Sequence, residues 1–518
     1  SDFTSADLLS KNAADSDIDT FTQELRLTSN NTEGSFDWMV GAFYFDESVE
    51  VEDDFQYGTD FRGYADFLSA GGLGAVEAAI FGPAAVGTVF GQAGQGPAAS
   101  YGQDNEAYSI FGTLDFHATD KLTATVGLNY TNDKKKAFYS QVNTDVFSGV
   151  DLVSLGVASG LAGFGVDATD TAAVGAFAAA NPAAFAAIQA GAADPATNPA
   201  LGLAPLQFLP PFVDFPNAVE DGKTDDSELT YTLRLAYDIN DNFNVYGSYA
   251  TGFKSSSWNL SRDSRPNIAD LPALTAGGLT VNNLTTGTRF AGPEESAVFE
   301  IGLKAAFDRY AFNVAIFDQT IEGFQSNAFT GVGFALTNAE EQSVQGLEAD
   351  INWAATDNFT ITAAGTFLDP EYDSFADAFL IRDATGSTTG ALGDLSGTKP
   401  SGISDTSLSI GGLYETTLSN GWNAFARADW QYASDSAYAD DPFDVANLEV
   451  ANLDRGVDVI NASIGVTTES GIAVNLWARN LLDDQTVTTA FRSVAQNGSY
   501  SGYPSAPRTY GVTVRKEF

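Results

Sequence analysis

The sequence predicts an all-β protein, a transmembrane antiparallel β-barrel of about fifteen strands whose long extracellular loops carry short helices. Three observations predict it. The chain ends on YGVTVRKEF, where Tyr510, Val512, Val514 and Phe518 share one strand face and Thr509, Gly511, Thr513, Arg515 and Glu517 share the other. The same alternation recurs along the chain in runs of roughly ten residues, the length that crosses a bilayer at a tilt and about twice that of a globular strand. Connections alternate between turns of a few residues and long loops, the asymmetry of a barrel with its short turns on one side of a membrane.

Composition narrows the options. The 518 residues exceed the roughly 250–300 at which one soluble core stops growing, leaving several domains or one very large sheet. With 24 basic against 68 acidic residues the formal charge is −44, which excludes the basic footprint of a nucleic-acid binder. Without cysteine there are neither disulfides nor thiolate metal sites, and His117 is the single histidine. Zinc, haem and His-based triads therefore lack parts, so neither a cofactor, a metal nor an enzyme activity is expected. No run of about twenty apolar residues appears. The apolar stretches 75–90 and 174–192 are interrupted by Glu77, Pro83, Asn181 and Pro182, and are expected to be short helices within loops. A membrane crossing must then be made by strands.

In chain order, Phe21, Gln23, Leu25 and Leu27 alternate with Thr22, Glu24, Arg26 and Thr28, and a turn leads to Trp38, Val40, Ala42 and Tyr44. Tyr108, Ile110, Leu114 and Phe116 turn at residues 118–121 into Leu122, Ala124, Val126, Leu128 and Tyr130. Leu229 to Tyr237 returns through 243–251. Phe299 to Phe307 pairs with Tyr310 to Ile316, and Leu347 to Trp353 with Phe359 to Phe367. Leu408 to Tyr414 turns into Trp422 to Trp430, Ile460 to Val466 into Ile472 to Ala478, and the terminal strand follows. Long loops are expected at 51–106, 138–227, 254–294, 372–404, 433–456 and 485–508. The first strand and the last run the same way, so closure into an even-numbered barrel needs an odd number of further strands, about seven for a barrel of roughly 22. Residues 1–17 are expected to end an extracellular loop and 18–518 to form the barrel. Residues 1–20 are acidic and polar, unlike a signal peptide.

Inward positions in this register include Glu24, Arg26, Arg234, Glu348, Asp350, Arg427, Asp429 and Arg479; they are candidates for a ligand-lining wall or for a hydrated wall packed on a plug. Tyr139, Phe253, Trp258, Phe212 and Phe215 lie at outer strand ends or in loops, where they can grip an apolar ligand face or pack the loops. Trp38, Tyr130, Trp353, Trp430 and Phe518 are candidate membrane-interface aromatics. Lys134, Lys135 and Lys136, the one basic run, can meet an anionic chelate, lipopolysaccharide phosphates or solvent. Asp435, Asp440, Asp441 and Asp444 could ligate calcium, although their spacing fits no EF-hand.

Eight segments in order carry a resemblance to TonB-dependent receptors of the bacterial outer membrane. They are TQELRLTS (22–29), DWMVGAFYFDE (37–47), KLTATVGLNYTNDKK (121–135), VYGSYATGFKS (245–255), PEESAVFEIGLKAAF (293–307), SVQGLEADINW (343–353), NLWARNLLDD (475–484) and PRTYGVTVRKEF (507–518). The resemblance implies a 22-stranded barrel filled by an N-terminal plug. It also implies TonB-powered uptake of a scarce nutrient, most commonly an iron–siderophore complex. The implied partners are outer-membrane lipid and lipopolysaccharide, TonB through the missing N-terminal region, the barrel-assembly machinery through Phe518, and a small-molecule ligand. Plug and TonB box have no counterpart in these residues, and Lys516 stands where the family's last strand usually has an aromatic. A passive porin or substrate-specific channel, a non-transporting surface barrel and a soluble multi-domain β protein remain the alternatives.

Overall fold

Period-2 alternation becomes a single sheet of fifteen strands in the computed structural model, which describes residues 6–29, 34–207, 211–262, 264–329, 334–378, 393–451, 453, 455–493 and 499–516. The strands are β1 Leu9–Thr28, β2 Phe36–Tyr57, β3 Pro97–His117, β4 Leu122–Asn143, β5 Lys223–Asn240, β6 Phe243–Lys254, β7 Glu294–Ala306 and β8 Tyr310–Phe329. They continue as β9 Phe334–Ala354, β10 Phe359–Ser374, β11 Thr406–Thr417, β12 Asn423–Ala433, β13 Val457–Thr467, β14 Ile472–Arg479 and β15 Thr509–Lys516. Each pairs antiparallel with its sequence neighbour, so sheet order is chain order. Every interior strand thus satisfies its backbone on both sides, as hydrocarbon requires.

Register aligns apolar positions around the whole sheet. Leu25 faces Ala42, which faces Ile110, which faces Tyr130, which faces Leu229. Further on, Ile316 faces Leu347, Ile410 faces Trp430, and Leu476 faces Val512. These side chains are bare: Leu25 is 66 % exposed, Ile110 63 % and Leu235 59 %. An apolar face this continuous far exceeds the few hundred Å² that soluble monomers expose, and at about 1.5–3 kcal/mol per side chain water is the wrong solvent for it. Lipid is the medium that fits, which removes the soluble alternative.

Aromatic rings bound the apolar band. At the short-turn end Phe36 stacks on Phe116 (4.9 Å between centroids), Phe307 on Tyr310 (4.5 Å), and Tyr310 faces Trp353. At the other end Tyr108 meets Tyr130 (6.4 Å), Tyr231 meets Tyr249 (5.9 Å) and Trp430 meets Tyr432 (5.9 Å). From Phe36 to Tyr44 the strand rises about 26 Å, or about 20 Å along the normal at a tilt near 40°, close to the known height of such bands.

The inner face has its own packing device. Aromatic rings lie across glycines on the neighbouring strand: Phe111 on Gly41, Tyr246 on Gly302, Phe317 on Gly346, Phe425 on Gly465 and Trp477 on Gly511. A Cβ at any of these glycines would fall inside the ring, and the ring covers backbone that the glycine leaves bare.

Several boundaries differ from expectation. β1 begins at Leu9, inside the stretch expected to be loop, because its partner β2 continues to Tyr57 and offers a ladder. β1 to β4 run 20–22 residues and stand well above the band. Five connections are shorter than expected, at 58–96, 144–222, 255–293, 375–405 and 434–456, while the last lengthens to 480–508 because β14 ends at Arg479. The outer connection between β8 and β9 is not a long loop: the pair stays in register to Phe329 opposite Phe334. The stretch expected to be helical at 174–192 forms α4 Thr171–Ala180 and α5 Pro182–Ala192, and the one at 75–90 forms α2 Gly72–Phe81, which ends before Pro83; α1 Phe61–Leu68 and α3 Leu152–Ala162 were not anticipated. Asp151 and Asp170 cap α3 and α4 by accepting from backbone N–H groups. Lys516 donates to the carbonyl of Ser470 at the inner turn, which holds its charge out of the band. Phe518 lies outside the described residues.

Candidate functional site

Polar alternate positions give the sheet an inner wall. On it, the Arg234 guanidinium lies 4.7 Å above the Tyr246 ring and the Lys304 ammonium 5.4 Å from the same ring. The Tyr246 hydroxyl donates to Glu300 at 2.7 Å, and Glu348 is within electrostatic reach. Four strands, β5, β6, β7 and β9, thus bring Arg234 and Glu348 into one constellation with three residues the sequence reading had not singled out. Glu300 and Lys304 lay on the polar side of EIGLK and were legible there. Tyr246 was not, because an inward aromatic breaks the alternation.

The remaining wall candidates sit apart and are internally paired. Asp350 accepts from Asn313 at 3.0 Å, and Arg427 forks onto Asp429 at 2.7 and 2.9 Å. Arg479 lies 5.4 Å over Trp477, and Arg26 pairs with Glu24. Higher on the wall an open recess of about 490 Å³ is lined by Asn129 and Thr131 from β4, Thr230 from β5, and Gly252, Phe253 and Lys254 from β6. Phe253 contributes to this lining, although its register opposite Glu295 puts it on the strand face shared with Tyr249 and Phe299.

Above the wall the loops pack into two layers. In the first, Tyr57 stacks on Phe61 (3.7 Å between centroids) over a core with Leu73, Val76, Phe90, Phe147 and Leu152. Tyr139 belongs to a second core of this layer: it is 1 % exposed, parallel to Tyr101 and Phe215, and does not line a surface. Phe212 and Phe215 pack there too, and Trp258 is sandwiched between Phe215 and Phe290 (5.4 and 5.0 Å). These rings are loop mortar in this arrangement, since the extended ends of β3 and β4 carry apolar inner positions that only loop residues can cover.

Charge pins this layer. Arg262 in the 255–293 loop donates to Asp53 on β2 at 2.8 and 3.0 Å and to Asn12 on β1. Arg289 pairs with Glu220 at 2.7 Å inside the layer; burial pushes the Glu220 carboxyl up despite that partner and lowers Arg289. Glu77 is wholly buried in α2. Burial pushes its carboxyl up, but Arg62 and the N–H groups of Phe90, Gly87 and Val89 outweigh it, and its pKa falls to about 2.

In the second layer the calcium candidates already have protein partners. Asp440 accepts from Tyr372 and Ser401, Asp444 from Arg492 and Tyr500, and Asp435 from the Gly456 N–H. Asp441 caps the helix Pro442–Val450 and faces Arg492. The basic run divides: Lys135 is buried against Asp133 and Ser255 (2.5 and 2.6 Å), while Lys134 points outward to Asp225.

A wall apolar outside, polar inside and roofed by packed loops defines an outer-membrane-type β-barrel. A family model described as TonB dependent receptor-like, beta-barrel matches residues 2–481, and the chain belongs to that family. It is a barrel of the bacterial outer membrane, from a family of transporters rather than enzymes. Among solved structures it resembles the ferric yersiniabactin uptake receptor FyuA of Yersinia pestis (13 % identity, TM-score 0.60, covering 98 % of this chain and 55 % of that one). It also resembles the siderophore receptor PiuA of Acinetobacter baumannii (15 %, 0.54, 97 % and 56 %) and the copper transporter OprC (12 %, 0.51, 98 % and 57 %). At these identities the likeness concerns the fold alone. The chain spans about half the length of the structures it matches.

Proposed function

We propose that the protein works as a TonB-dependent uptake receptor for a scarce nutrient, carried as an iron–siderophore complex. The observation that supports this best is the polar wall with an open recess beneath a pinned loop layer, in a barrel of this family. Loop and wall residues take the ligand from outside, and energy arrives through TonB acting on a region outside these residues. Arg234, Glu348, Asp350, Arg427, Asp429 and Arg479 serve as wall residues that meet ligand or plug. Trp38, Tyr130, Trp353 and Trp430 anchor the band at its two lipid interfaces, and Phe518 presents the terminal strand to the assembly machinery. The iron–siderophore reading follows from the resemblance carried by the strand segments, since iron chelates are the commonest cargo that resemblance implies. Deleting the gene in its host should abolish growth on one ferric chelate as sole iron source, and loss of TonB should do the same. Unchanged uptake in the deletion strain would reject the proposal.

A further inference from the structure

Resting on that reading, we propose that the recess at the outer end of β4, β5 and β6 takes an uncharged ligand rich in hydroxyl or amide groups, and rejects polyanionic chelates. Its volume, about 490 Å³, is that of a small-molecule site. Its charged side chains are already spent on one another. Asp133 holds Lys135 at 2.5 Å, and Lys254 holds Glu294 at 3.1 Å. The Ser255 hydroxyl also accepts from Lys135. What remains for a visitor is neutral. Thr131 and Thr230 present hydroxyl oxygens, the latter donating to the Asn129 backbone carbonyl at 3.4 Å, and Gly252 leaves room.

Asn129 supplies the directional element. Its Nδ2 donates to Thr131 at 3.1 Å, while its Oδ1 is buried and has no hydrogen-bond partner among the described residues. A buried acceptor left open in a recess calls for a donor, an O–H or N–H, and repels an anionic oxygen. The surroundings act the same way. Glu228 faces Thr131 across the ladder, and the whole chain carries −44. A polyanion would approach against that field and meet, among the described lining residues, one cation, Lys254, already paired with Glu294. A ferric trihydroxamate is neutral and bears amides. A ferric tris-catecholate is triply negative. A neutral oligosaccharide shares the favoured chemistry without iron.

The test measures binding of these three probes to outer-membrane vesicles carrying the protein as the cell makes it. A neutral probe should bind at least about tenfold more tightly than the tris-catecholate, and Asn129→Leu should weaken it about tenfold. Thr230→Lys, which puts an unpaired cation in the recess, should gain affinity for the tris-catecholate, a gain that misfolding cannot produce. If the tris-catecholate binds best to the unmodified protein, the inference fails while the iron-chelate reading survives. If only the oligosaccharide binds, the inference stands and the iron-chelate reading fails. Binding of none, or indifference to both substitutions, overturns the inference.

Discussion

Replacing Glu77 by Gln should loosen the first loop layer and leave the membrane wall untouched. The carboxylate is 0 % exposed, accepts from Arg62 at 2.7 Å, and takes the N–H groups of Gly87, Val89 and Phe90 at 2.6, 2.9 and 2.6 Å. Its pKa falls from 4.5 to about 2 on folding, so the stability it adds is complete above 4.5 and disappears as pH drops through about 2. At about 1.4 kcal/mol for each tenfold change in proton affinity, this is about 3 kcal/mol. Gln removes the charge facing Arg62 and turns an N–H₂ toward other donors, so the loss at neutral pH is of that order. Hydrogen exchange at the Val89 and Phe90 amides reads it directly: about a hundredfold faster exchange in the variant, with β4 and β5 amides unchanged. The unmodified layer should also resist proteolysis at about pH 5 and open toward pH 2. A change below about threefold at these amides, or one spread evenly into the strands, would refute the reasoning.

Other perturbations separate the remaining parts of the account. Leu233→Arg puts a charge on the outer face mid-band and should cost about 2–4 kcal/mol in folding into bilayers, whereas Thr232→Arg on the wall should cost under about 1; equal costs would contradict the assigned faces. Arg262→Ala leaves Asp53 buried without its cation, at a loss of about 3 kcal/mol, and should expose residues 255–293 to protease while β1 and β2 exchange as before. Gly302→Leu forces Tyr246 aside and should cost about 1–3 kcal/mol in heat-unfolding measurements, mostly recovered by adding Tyr246→Ala.

The spanning parts of the strands were legible because lipid on one side and water on the other impose a strict period of two, seen in Leu229 to Tyr237. Outside the band that constraint ends. SVEVEDDFQY at the top of β2 mixes charges and rings on both faces, so its extension to Tyr57 could not be read locally and depends on pairing with β1 and β3. Loop burial is tertiary for the same reason: nothing near Tyr139 in sequence announces that Phe215 and Tyr101 cover it. Parity puts the wall candidates on the strand face opposite the exposed apolar side chains. Which of them meet was not legible, because Arg234 and Tyr246 come together only through cross-strand register. The loop aspartates weighed as calcium ligands are engaged by Tyr372, Arg492 and a helix N-terminus, contacts that sequence spacing does not reveal.

The two-faced wall is open to one direct measurement. The chain has no cysteine, so single cysteines placed from 122 to 131 along β4 report without background. In bilayers, Leu122, Ala124, Val126, Leu128 and Tyr130 positions should be shielded from a charged thiol reagent and quenched by lipid-borne probes. The Thr123, Thr125, Gly127, Asn129 and Thr131 positions should react from water. Labelling without a period of two, or with the faces reversed, would contradict a lipid-facing barrel.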